Sequence, residues 1–183
     1  MEHFYQNIGE DWFTYPNLYS EMVAKFPDGS HFVEVGSWKG RSSSYMAVEI
    51  LNSGKNIKFD CLDLFSLWPM HYEDFLENTK IVKHIINPVI GRSNEIVHTY
   101  KNESLDFVFI DAGHTYEDVI EDLTNWLPKV KIGGILAGHD YSPEYPYEHS
   151  IGVNKAIEEF FGKDKIEARE VCWIYKKQIE YVK

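Results

Sequence analysis

The feature that most constrains this chain is the regular exchange of short β-type runs with amphipathic helical stretches. That exchange is the sequence mark of βαβ units built around a parallel sheet. Candidate strands cover residues 32–35, 57–62, 88–90, 107–110, 135–137, 165–168 and 171–175. The clearest helix follows Thr115, where Tyr116, Val119, Ile120, Leu123, Trp126 and Leu127 recur on one stripe at spacings of three and four, before Pro128, Gly133 and Gly134 end it. A second is marked by Val153, Ala156, Ile157, Phe160 and Phe161, with Gly162 as its stop. Two more are expected over residues 17–25 and 42–51. Only a residue or two separates the last two strands, too few for a helical crossover, so they should pair as an antiparallel hairpin. Residues 65–87 and 141–152 show no clear periodicity and are read as loops over a site.

With 183 residues, 44% hydrophobic and 15% aromatic, the chain can bury a core as a single domain over 1–183, with residues 1–30 as an N-terminal helical cover. Cys61 and Cys172 both lie in apolar runs and do not suggest a disulfide framework, so a reducing, cytoplasmic setting is expected. The mixed, polar start is unlike a signal peptide, and no apolar run approaches the roughly eighteen residues that cross a bilayer; no membrane partner is expected. The net charge is −11 and the longest basic feature is Lys176 with Lys177. Nucleic acid is therefore excluded as a partner, since phosphates need clustered Lys and Arg. A small neutral or cationic substrate fits better. Phe4, Tyr5, Trp12, Phe13 and Tyr15 suit either a cover over a substrate site or a homodimer contact, and the sequence does not choose.

Glu34, Gly36, Ser37 and Gly40 lie between the first strand and the next helix, where a glycine-rich turn lets a ligand come close to the backbone. Two glycines four apart behind an acid depart from the G-x-G-x-x-G fingerprint, which holds a pyrophosphate on helix N-terminal amides. A leading carboxylate suits a cationic group instead. Asp63, ending the second strand, is placed to accept protons from ribose hydroxyls. Gly91, Arg92 and Ser93, ending the third, would face a nucleobase. Taken singly, the loop is an ordinary strand-to-helix turn and Asp63 a loop cap; their order argues for a cofactor site.

In an open parallel sheet the chemistry sits beyond the carboxyl ends of the strands. Asp111, His114 and Tyr116 follow the fourth strand there, and His139, Asp140 and Tyr141 the fifth. Histidine, with an unperturbed pKa of about 6.5, suits the removal of a hydroxyl proton, and a positioned base contributes roughly 10²- to 10⁴-fold. A divalent cation would help by lowering the hydroxyl pKa, although imidazole suits transition metals better than Mg²⁺. Asp111 equally suits capping the following helix or orienting His114. His114 equally suits a turn residue bonded to backbone, and His139 with Asp140 a pair shaping the pocket floor. Trp38, Trp68, Tyr72, Tyr141, Tyr145 and Tyr147 crowd the expected mouth. Most of them are packing residues, but stacked aromatics with polar tips also suit a sugar, a ring or a cationic head group.

The segments F-V-E-V-G-S-W-K-G-R-S from Phe32, D-F-V-F-I-D-A-G-H-T-Y from Asp106 and G-G-I-L-A-G-H-D-Y from Gly133 resemble those of class I S-adenosylmethionine (SAM)-dependent methyltransferases. The likeness is to a compact branch of sugar and small-molecule O-methyltransferases, and it runs over residues 12–176. It implies a Rossmann-like three-layer αβα sandwich whose seven-stranded, mostly parallel sheet has the order 3-2-1-4-5-7-6, the last strand antiparallel. It implies SAM as cofactor, with Glu34, Gly36, Ser37 and Gly40 framing the methionine moiety, Asp63 on the ribose, Ser93 beside the adenine and Asp111 near the transferred methyl. The acceptor implied is a hydroxylated small molecule, a saccharide being favoured, with His114 as general base beside Asp111. Asp111 and Asp140 are the implied ligands of Mg²⁺ or another divalent metal, and His139 stands where the pattern tends to place a carboxylate. Two other readings remain. One moves the acceptor to nitrogen or a protein side chain, with Asp111 and His114 only positioning it. The other is a SAM- or nucleotide-binding module without catalysis, which gains nothing from the acid and imidazole cluster.

Overall fold

The computed structural model describes residues 1–9 and 12–179. Its strands are β1 (His31–Val35), β2 (Lys58–Asp63), β3 (Ile86–Ile90), β4 (Leu105–Ile110), β5 (Val130–Gly138), β6 (Glu167–Arg169) and β7 (Cys172–Lys176). They form a seven-stranded sheet of order β3-β2-β1-β4-β5-β7-β6, flanked by helices, as the resemblance implied. The helices are α1 (Pro16–Lys25), α2 (Arg41–Ser53), α3 (His71–Thr79), α4 (Ser93–Ile96), α5 (Tyr116–Trp126) and α6 (Glu148–Phe161). The chain gathers into two compact units, Met1–Arg92 and Ser93–Lys183.

In the first unit β1, β2 and β3 run parallel, with Val35 opposite Leu62 and Asp63 opposite Ile90. Phe32, Val33, Val35, Phe59 and Cys61 are buried, the near-continuous apolar run expected of strands covered on both faces. Pro16 opens α1, where its missing N–H costs nothing. The Lys55 ammonium closes that helix by donating to the carbonyls of Val23, Ala24 and Phe26 at 2.6, 2.9 and 2.7 Å. The N-terminal segment is tied to α2: His3 pairs with Glu49 at 2.9 Å and stacks on Tyr45 at 4.2 Å. Of its aromatic residues, Phe13 and Tyr15 belong to the core, whereas Trp12 is exposed and stands 5.8 Å from the Trp38 ring.

In the second unit β4 and β5 are parallel, with a register shift between Leu105 and Phe107, while β7 is antiparallel to both β5 and β6. The expected hairpin is therefore present, turning through Glu170 at φ 57°. Thr115 caps α5 by accepting from the Asp118 N–H, and Gly162 follows the last residue of α6. Trp126, Leu123, Phe107, Phe109 and Trp173 fill this core.

Several features differ from the expectations, and residues 148–152, read as loop, begin α6. Residues 65–87 hold the helix α3 rather than loop alone. The sixth strand begins at Glu167, because residues 163–165 form a 3₁₀ turn. The fifth starts earlier, at Val130: its glycines are strand residues, Gly133 N–H donating to the Lys177 carbonyl and Lys177 N–H to that of Gly134. Both cysteines are buried free thiols. Among the described residues no helix is long and apolar enough to cross a membrane.

Candidate functional site

In the first unit the turn after β1 folds onto the end of β2. The N–H groups of Gly36 and Ser37 both donate to the Leu62 carbonyl, at 2.8 and 3.2 Å, and that of Gly40 to the Ser37 carbonyl at 2.8 Å. Asp63 accepts from the Trp38 N–H at 2.8 Å on one oxygen and from the Phe65 N–H at 2.9 Å on the other. Both donors are non-glycine residues in the left-handed region, with φ of 46° and 48°. Such backbone costs about 1–3 kcal/mol per residue and collects at functional sites. Each carboxylate oxygen of Asp63 retains a second lone pair, so the group fits a ligand bearing two hydroxyls. Gly40 has a packing reason to be glycine: its φ is +83°, and a Cβ there would stand 2.6 Å from Thr79 of α3.

Glu34 lies elsewhere in the packing. It is 1% exposed, and its two oxygens accept from the Tyr19 hydroxyl at 2.8 Å and from the Ser43 hydroxyl. Burial raises its pKa against the pull of these bonds. Its carboxylate thus joins α1 and α2 to β1, behind the turn. Ser37 Oγ is buried, has no partner at full hydrogen-bonding geometry among the described residues, and is one of the groups that hold the Glu34 pKa down. His71 is fully buried, with neither ring nitrogen bonded among the described residues, stacked on Trp68 at 3.9 Å and edge-on to Trp38 at 5.2 Å. Nothing in the sequence distinguished His71 from a solvated loop residue.

In the second unit four of the expected residues come together at the carboxyl ends of β4 and β5. His114 Nε2 lies 2.8 Å from Asp140 Oδ2 and 3.7 Å from Asp111 Oδ1. His139 Nδ1 lies 3.4 Å from Asp140 Oδ1 and 3.8 Å from Asp111 Oδ1. The ligand atoms of Asp111, His139 and Asp140 are all within 4.8 Å of one another. Asp111 and Asp140, through hydrogen bonds and charge, raise His114 to about 10 against the opposing effect of burial, so at neutral pH the ring is an imidazolium. Burial pushes the Asp140 carboxyl up, yet bonds from His114, His139 and Tyr147 outweigh it and hold the group well below the usual carboxylate range. Burial likewise opposes the charged form of His139, and Asp140 with Asp111 overcomes it.

The frame around this cluster is tight. His139 N–H donates to the Ile110 carbonyl at 3.1 Å. Just before it, a Cβ on Gly138 would stand 2.5 Å from that same carbonyl oxygen and 2.6 Å from the Trp173 ring. Asp140 sits at φ 59° and accepts from the Tyr147 hydroxyl at 2.6 Å, a support given by a residue read from sequence only as part of an aromatic mouth. His149, in the first turn of α6, brings its ring 4.9 Å from that of His114 and went unnoticed in the sequence. Ser93 has its hydroxyl committed: it donates to Asp122 and accepts from the Trp126 indole at 2.8 Å. Asp122, 5% exposed, is pushed by burial up to about 6 despite the bond from Ser93.

Comparison with known proteins bears on the family and the fold. Residues 33–141 match a family described as a methyltransferase domain. The chain is 26% identical over 126 residues to "Probable caffeoyl-CoA O-methyltransferase 3" of Dictyostelium discoideum, covering 66% of this chain and 47% of that one. It thus spans about half the length of that curated relative. The O-methyltransferase NovP shares the fold with a TM-score of 0.67 at 18% identity, over 89% of this chain and 79% of its own. TomG of Streptomyces achromogenes, an O-methyltransferase of tomaymycin synthesis solved in complex with SAM, does so with a TM-score of 0.62 at 16% identity, over 88% and 80%. The family match runs from β1 to just past β5, well over half of the sequence. The chain belongs to the methyltransferase domain family, of the class I, SAM-dependent kind.

Proposed function

We propose that this protein, acting as one methyltransferase domain, methylates a hydroxyl of a small molecule, with a saccharide as the favoured acceptor. The observation that carries the reading is the meeting of Asp111, His114, His139 and Asp140 at the carboxyl ends of β4 and β5 in a chain of this family. SAM, when bound, supplies an electrophilic methyl on a sulfonium. Asp63 is then the acceptor for the ribose hydroxyls, and Gly36 and Ser37 lie against the methionine end. Glu34 and Gly40 serve by holding the turn's shape. Ser93 contributes its backbone beside the adenine, its hydroxyl being engaged. Asp111 lies by the transferred methyl.

His114 is the residue proposed to take the acceptor's proton as the oxygen attacks, through Nδ1, the ring nitrogen other than the one that Asp140 holds. The carboxylates of Asp111 and Asp140 stabilise the imidazolium that forms, as an acid partner does for any catalytic histidine. The resting ring must first lose its own proton, and its 34% side-chain exposure gives that proton a route to water. Asp111, His139 and Asp140 offer a donor set for a divalent cation, which when bound lowers the pKa of the acceptor hydroxyl. Tyr145, which is 81% exposed, and the segment 141–147 lie where acceptor choice would be made.

A second reading is favoured by the charge on His114. An imidazolium donates, so it can orient a nitrogen or protein acceptor without taking a proton. Calorimetry with SAM and S-adenosylhomocysteine, then an acceptor screen with His114→Ala, tests both. Heat of binding with micromolar affinity is expected, and its absence with both ligands would sink the cofactor reading. A base role predicts a fall in turnover of roughly 10²- to 10⁴-fold with cofactor affinity intact, whereas unchanged turnover supports the second reading.

A further inference from the structure

We infer that the Asp111, His139 and Asp140 cluster is built for a late first-row divalent ion that accepts tetrahedral geometry, such as Zn²⁺ or Co²⁺, in preference to Mg²⁺. The inference rests on reading this cluster as a metal centre and adds the class of metal it selects.

Donor type is the first argument. His139 presents Nδ1 towards both carboxylates and is itself only 10% exposed, so the imidazole is part of the donor set. Mg²⁺ takes oxygen ligands and dehydrates reluctantly, while imidazole suits Zn, Fe and Ni. Spacing is the second argument. Two ligands at about 2.1 Å from an ion are about 3.0 Å apart on an octahedral edge and about 3.4 Å apart on a tetrahedral one. The observed separations from His139 Nδ1 are 3.4 Å to Asp140 and 3.8 Å to Asp111, at and beyond the tetrahedral value.

Rigidity is the third. Re-spacing these donors to an octahedral edge would require His139 or Asp140 to move. Gly138 just before them leaves no space against Ile110 and Trp173, and Tyr147 and His114 both hold the Asp140 carboxylate. A site held at this spacing discriminates by geometry as well as by donor chemistry. His114, also 2.8 Å from Asp140, stands at the edge of the set and keeps its role towards the acceptor.

The test uses full-length protein stripped with a chelator and titrated with Co²⁺ while visible d–d absorption is recorded. Intense bands, typical of four- or five-coordinate Co²⁺, are expected, and a hundredfold excess of Mg²⁺ should leave them in place. His139→Asp should weaken Co²⁺ binding by at least about tenfold to a hundredfold and let Mg²⁺ compete. His139→Asn, which keeps a neutral side chain, is the companion should the aspartate variant unfold, and it should show the same loss for Co²⁺. Displacement by equimolar Mg²⁺, or bands indifferent to both substitutions, would overturn the inference. No bands with Co²⁺, while S-adenosylhomocysteine still binds, would remove the metal centre and leave the methyltransferase reading standing.

Discussion

Asp60, in the middle of β2, accepts from His31 at 2.6 Å and from the Asn87 amide at 2.7 Å, with the Lys58 ammonium at 3.2 Å. Burial raises its pKa, but these partners outweigh it and bring the carboxyl down to about 2. Because the folded value lies below the unfolded one of about 3.9, the stabilisation is complete above pH of about 4 and disappears as the pH falls towards 2. Asp60→Asn should therefore lower stability by roughly 2–3 kcal/mol at pH 7 and far less at pH of about 2, read from unfolding curves against pH. A constant difference across that range would refute it. The residues that meet after β4 and β5 stood out in the sequence by type and order, whereas the orientation of side chains did not. Glu34 reads as a ligand residue because the bonds from Tyr19 and Ser43 that turn it inward come from two separate helices. Asp122 was hidden in plain view: it falls among Val119, Leu123 and Trp126 on the buried stripe of α5, where it accepts from the Ser93 hydroxyl.

Helix α6 carries more of the site than its sequence suggests. A Cβ on Gly152 would stand 2.4 Å from the His114 carbonyl oxygen and 2.8 Å from the Tyr116 nitrogen, both backbone atoms with nowhere to go. Gly152→Ala should therefore push the turn carrying His114 away from Asp140, at a cost of about 1–3 kcal/mol. Turnover should fall further than that loss of stability explains, a difference visible by comparing kcat with the thermal midpoint. Unaltered kcat would show that α6 does not position the turn. Periodicity located α5 and α6 because their buried stripes are apolar. It missed α3 because the buried positions there are His71, Phe75 and Thr79, so two polar residues occupy the inward stripe and erase the signal. Glycines misled in the opposite sense at β5, since Gly133 and Gly134 read as breakers yet pair with the chain at Lys177.

At the scale of the whole chain, strand order is a non-local property that no local pattern carries; it was legible only through the resemblance of three motif segments to a family. Cofactor binding at that scale predicts a stability change. S-adenosylhomocysteine at a hundred times its Kd should add about 2.7 kcal/mol, which for a chain of this length is a rise in the thermal midpoint of roughly 5–10 °C. His114→Ala should show the same rise, and no rise with the unsubstituted protein would contradict the cofactor assignment. The aromatic crowding around the turn after β1 also has an optical meaning. Of the five tryptophans, Trp126 and Trp173 are fully buried in the second unit, whereas Trp12 and Trp68 both contact Trp38 on the turn itself, Trp12 being exposed and the other two partly so. Their emission is open to aqueous quenchers and that of the other two is shielded, so the protein carries an intrinsic fluorophore whose quenching reports the state of that one turn.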